Sequence, residues 1–121
     1  MKTKPKNRKV RFMHKDGCLV RIVTAHAGGG RTYPYRCTKD IFETVAWAMA
    51  ETPREGPGAT PMQIARRENL PFTQVTVALE FLKERGIVEV RQRRCYPATS
   101  SAYLDAMVEW HALAEEPKPI G

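Results

Sequence analysis

Cysteine is scarce in this chain. Cys18, Cys37 and Cys95 are odd in number and share no short paired spacing, which excludes a disulfide framework and fits free thiols in a reducing compartment. The cytoplasm is the expected location. Long apolar runs are also missing. Nothing approaches the roughly 20 residues that span a bilayer, and no apolar stretch of about 7–15 residues follows the basic start, so neither membrane insertion nor export is expected. No serine, histidine and acid arrangement and no promising carboxylate pair is present, so an enzyme is not expected. His14, Cys18, His26 and Cys37 could be drawn into a zinc site, but they lack any CxxC or HxxxH spacing and read as packing and loop positions. Gly28-Gly29-Gly30 is followed by no GKS or GKT and forms no GxGxxG, so it reads as a linker, not a phosphate cradle. No cofactor and no metal is expected.

Acids are few where bases are many. Between Met1 and Arg11 stand Lys2, Lys4, Lys6, Arg8, Lys9 and Arg11 without one carboxylate, while Asp105, Glu109, Glu115 and Glu116 occupy a stretch without Lys or Arg. Overall, 20 Lys and Arg face 13 Asp and Glu, a formal charge of +7 that favours a polyanionic partner. With 121 residues, 42% of them apolar, the chain can bury one domain-sized core.

Local patterns place the elements. Residues 1–9 hold no large apolar side chain beyond Met1 and read as a basic flexible arm. Val10–His14 and Cys18–Thr24, around the turn signal Asp16-Gly17, predict a β-hairpin, and Arg31–Cys37 an extended segment able to add an edge strand. Thr38 caps a first helix that Pro53 halts. After the breaker-rich loop 53–59, Thr60-Pro61-Met62-Gln63 has the form of a capping box, and the second helix runs to Glu68 with Asn69 as its left-handed stop. A third helix starts at Pro71 or Thr73 and ends at Gly86, burying Val75, Ala78, Leu79 and Leu82. Val77 and Phe81 add a second apolar surface, to be covered either by the N-terminal hairpin or by another protein. A strand from Ile87 to Arg91, a turn at Gln92-Arg93 and a return strand at Arg94–Tyr96 follow. Ser100 or Ser101 then caps a last helix with Tyr103, Met107 and Trp110 on one stripe.

Val75, Leu79, Leu82 and Gly86, followed by Ile87-Val88 and a basic hairpin, resemble the recognition helix and wing of bacterial winged helix-turn-helix regulators. Ile64-Ala65 and Leu70 stand where that family has a second-helix core pair and a turn-seating residue. The resemblance covers about residues 38–96. It implies an α+β fold, a three-helix core plus β-wing over 38–99, with the N-terminal hairpin over 10–37, a C-terminal helix over 100–116 and a tail at 117–121. It further implies double-stranded DNA as the partner. Thr73, Gln74 and Thr76 would meet base edges, Gln92 and the arginines Arg91, Arg93 and Arg94 of the wing would meet phosphates or the minor groove, and Arg66 and Arg67 would clamp the backbone. Tyr103, Met107 and Trp110 would serve a homodimer contact or cap the core. On a helical wheel the same third helix presents Thr73, Val77, Glu80 and Glu84 together, and carboxylates near phosphates disfavour direct base readout. The function implied is a DNA-binding transcriptional regulator or accessory factor acting mainly through phosphates. The alternatives are an interaction module binding a protein through Val77, Phe81 and the hairpin, and an RNA-binding factor stacking bases on Tyr33 and Tyr35.

Overall fold

A computed structural model describes residues 8–25 and 32–116. Nine elements follow one another: β1 (Arg8–Lys15), β2 (Cys18–Ala25), β3 (Thr32–Thr38), α1 (Lys39–Ala50), α2 (Pro61–Glu68), α3 (Phe72–Glu84), β4 (Val88–Arg91), β5 (Arg94–Pro97) and α4 (Ala102–Ala114). The strands make two antiparallel sheets, β1-β2-β3 and β4-β5. The chain is thus a mixed α+β fold with four helices among the described residues. The basic arm, the triple glycine, His26 and the tail at 117–121 lie outside the described residues, apart from Arg8 and Lys9, which open β1.

Turn chemistry sets both hairpins. Asp16 and Gly17 hold φ of 53° and 76°, and Gln92 and Arg93 hold 50° and 68°, the paired positive values of a two-residue turn whose twist matches its strands. Capping fixes the helices. Thr38 accepts from the Ile41 amide at 3.4 Å. Thr60 and Gln63 exchange their bonds in both directions, at 3.0 and 3.1 Å. Asn69 is left-handed at φ 57°, and Leu70 N–H returns to the Ala65 carbonyl at 2.8 Å. Gly86, at φ +78°, closes α3 the same way, with Ile87 N–H donating to Leu82 at 2.9 Å. The start of α3 falls on Pro71, which makes no side-chain cap bond, so Thr73 lies inside the helix.

The second face of α3 decides the architecture. Val77 and Phe81 are both 0% exposed, as are Val75 and Leu82, and α3 packs against β2 and β3 of the first sheet as well as against α1 and α2. Phe81 meets Phe12 of β1 edge-on at 5.3 Å and Phe42 of α1 at 5.9 Å. One core therefore runs from Leu19 and Cys37 through α1 and α3 to Trp110 and Leu113 of α4. Of the two coverings that the sequence leaves open, Phe81 meets the N-terminal hairpin at Phe12, and Val77 is likewise buried within the chain. α4 turns its stripe inward as well: Trp110 is 3% exposed, packed on Phe42 at 4.8 Å and edge-on to His14 at 4.8 Å, and Tyr103 meets Trp47 at 5.1 Å.

Candidate nucleic-acid interface

The β4–β5 hairpin is anchored to the loop before α2. Ala59 and Cys95 exchange backbone bonds at 3.1 and 2.7 Å. Tyr96 donates its hydroxyl to the Gly56 carbonyl at 2.9 Å, and Arg91 reaches the Arg54 carbonyl at 2.8 Å. Gly58, at φ +70°, lies so close to the Tyr96 ring that a Cβ there would sit 2.7 Å from it. The hairpin is consequently held at a fixed angle to α3. Between them runs a groove of about 160 Å³ floored by Leu79, Val88, Val90 and Cys95 and rimmed by Thr76, Glu80, Lys83 and Arg93, with Pro61 of α2 at its end.

The candidate residues divide into those with free polar groups and those already engaged. Arg66, Arg93 and Arg94 make no ion pair among the described residues; Arg66 and Arg93 are exposed and Arg94 is half-buried. Arg91 and Arg94 stand opposite each other in the ladder, a like-charge pairing that costs energy unless one member is neutralised. Arg91 is that member. It pairs with Glu89 at 3.2 Å and lies 3.7 Å over the Tyr96 ring. Arg67 contacts Glu68 at 3.3 Å with both side chains partly exposed, a pair that solvent weakens. Gln92 is exposed at the hairpin tip.

On α3, Thr73 is exposed and Thr76 half-buried, its hydroxyl returned to the Phe72 carbonyl at 3.0 Å. Gln74 is turned inward: its side-chain carbonyl accepts the Thr38 amide at 3.0 Å, fixing the junction of β3 with α1 to α3. An adenine edge would have to displace that bond. The two carboxylates on this helix have arginine partners inside the chain, Glu80 with Arg21 of β2 and Glu84 with Arg85 at 3.2 Å, an arginine that it shares with Glu109. Lys83 is the residue the wheel reading passes over. It lines the groove on the α3 side, across from Arg93 of the hairpin, and the seven-residue spacing from Thr76 puts both on one helix face.

Other candidate chemistry sits deeper. Burial pushes the Cys37 thiol up to about 12, with Cys18 adding to the effect, and burial raises Cys95 against the opposing pull of Lys83. Both thiols are thereby held protonated and away from the reactive thiolate form. No cluster of three or more possible metal ligands occurs among the described residues, and none of their helices is long and apolar enough to cross a membrane. Comparison with protein-family models, with curated proteins and with solved structures returns no match.

Proposed function

We propose that residues 38–96 form a winged helix-turn-helix module, with β4–β5 as the wing, and that it binds double-stranded DNA mainly through phosphates, as a cytoplasmic regulator or accessory factor. The observation that carries this reading is that Lys83 of α3 and Arg93 of the hairpin line one groove from its two sides, with Arg94 in the same hairpin, while Glu80 and Glu84 of α3 each have an arginine partner within the chain. A phosphate approaching that groove meets cations whose competing anions are already occupied. Base readout is modest on this reading, because Gln74 is engaged by Thr38, which leaves Thr73 and the half-buried Thr76 of the three candidate base readers on α3. The wing, α2 and α3 that would carry these contacts share a single core.

The protein-interaction alternative would have to rest on the hairpin surface alone, since Val77 and Phe81 are both 0% exposed in the folded chain. A fluorescence anisotropy titration of a labelled duplex, with an Arg66→Ala, Arg93→Ala, Arg94→Ala variant alongside, tests the proposal. Binding by the parent and its loss in the folded variant are expected; equal binding by both removes the proposed contact set. Tighter binding to single-stranded RNA than to the duplex would replace DNA as the partner.

A further inference from the structure

Among the described residues the same small assembly occurs three times. Arg21 lies 4.8 Å over Tyr35 and pairs with Glu80; Arg85 lies 4.9 Å over Phe81 and pairs with Glu84 and Glu109; Arg91 lies 3.7 Å over Tyr96 and pairs with Glu89. In each, a guanidinium is held between an aromatic ring and a carboxylate, an arrangement that satisfies its charge at the edge and its weakly hydrated face on the ring. A fourth place has the ring and the carboxylates but no arginine. Trp47 and Tyr103, set 85° apart at 5.1 Å, border an open notch of about 480 Å³ together with Asp40, Glu43 and Thr44.

Trp47 is 54% exposed, although an indole of that size normally finds cover. Asp40 has no ion pair among the described residues, and Glu43 touches only the exposed Lys39, at 3.9 Å along the helix. The charged side chains that line the notch, Asp40 and Glu43, are both acidic. We infer that this notch between α1 and α4 takes an arginine side chain from a protein partner, stacking the guanidinium on Trp47 and pairing it with Asp40 and Glu43. The partner surface is therefore basic and arginine-bearing. An acidic or purely apolar partner would leave Asp40 facing it without a counter-charge and Glu43 with only the exposed Lys39.

The test uses the full chain and a capped peptide carrying three arginines spaced by glycines, with lysine and glutamate versions as controls. Trp110 is 3% exposed, so a change in tryptophan emission on titration reports Trp47. The expected result is saturable binding of the arginine peptide, several-fold tighter than the lysine peptide and absent for glutamate. A planar fork and a stacking face distinguish arginine from a point charge, so Asp40→Asn with Glu43→Gln should weaken it by about tenfold or more. Glu43→Gln alone, a milder surface change, should weaken it in the same direction. The Arg66, Arg93 and Arg94 alanine variant should bind the peptide as the parent does, which separates this site from DNA binding. Equal affinity for arginine and lysine, no saturation, or unchanged binding in the carboxylate variants would overturn the inference. Self-association of the chain that the same variants abolish would also overturn it, by giving the notch to a second copy.

Discussion

Removing Phe12 and Phe81 singly and together measures whether the N-terminal sheet is part of the same folded unit as α3. Phe81 is 0% exposed and touches rings from both β1 and α1, so Phe81→Ala should cost about 3–5 kcal/mol through lost transfer energy and an unfilled cavity. Phe12 is only half-buried, and its truncation should cost about 2 kcal/mol, toward the lower end of core losses. The rings meet at 5.3 Å in an edge-to-face geometry whose worth beyond buried area is about 0.5–1.5 kcal/mol. The double variant should therefore fall short of the summed single losses by about 1 kcal/mol, the coupling of residues in contact. Urea unfolding followed by circular dichroism gives each stability. If Phe81→Ala alone leaves too little folded protein, the same cycle with leucine replacements reads the coupling at lower cost. Additivity within about 0.3 kcal/mol would refute the reasoning, because residues that do not share a core do not couple. It would mean the sheet does not cover α3, and Val77 and Phe81 would again be available to a partner.

Gly58→Ala should destabilise the chain by about 2–4 kcal/mol, combining a left-handed backbone with a Cβ driven against the Tyr96 ring at 2.7 Å, and thermal unfolding would show it. A fall of under about 0.5 kcal/mol would mean that the loop and hairpin are not clamped together. Thr60→Ala removes one half of the capping box on α2 and should cost about 1 kcal/mol by urea denaturation, with Thr60→Ser nearly neutral. The Cys37 thiol, raised from 9.0 to about 12, keeps its proton in the folded chain while the unfolded chain loses its own. Its contribution is thus complete below pH 9 and declines as pH rises toward 12, so Cys37→Ala should flatten the fall in stability over that window. At pH 8 a thiol reagent should modify half-buried Cys18 first and reach Cys37 and Cys95 only on unfolding.

Local chemistry was the legible part of this sequence. Thr38, the Thr60 and Gln63 pair, Asn69 and Gly86 each act within a few residues of themselves, so their caps and stops fall where residue type and spacing put them. The two hairpin turns are equally local. What the sequence could not decide depended on contacts across the chain. The apolar residues of α3 occupy two faces, which signals a helix packed on both sides, yet only the folded chain brings Phe12 of β1 onto the second. The same holds for Gln74, a plausible base reader by position, whose amide is claimed by Thr38 at a separation of 36 residues. Arg91 looks like a phosphate ligand until Glu89, Tyr96 and the Arg54 carbonyl converge on it. Tyr103 and Trp110 form one stripe in sequence but reach different neighbours, Trp47 and Phe42, because α4 lies across α1.

On the proposed function, affinity resides in phosphate contacts from Arg66, Arg93 and Arg94 and not in base edges. The slope of log binding constant against log salt concentration for two duplexes of unrelated sequence measures this. Each phosphate contact contributes about 0.9 to that slope, so the same steep decline is expected on both duplexes, with a slope shallower by about 2.7 when the three arginines become alanine. Tight binding confined to one duplex, with a slope that the three substitutions leave unchanged, would contradict it.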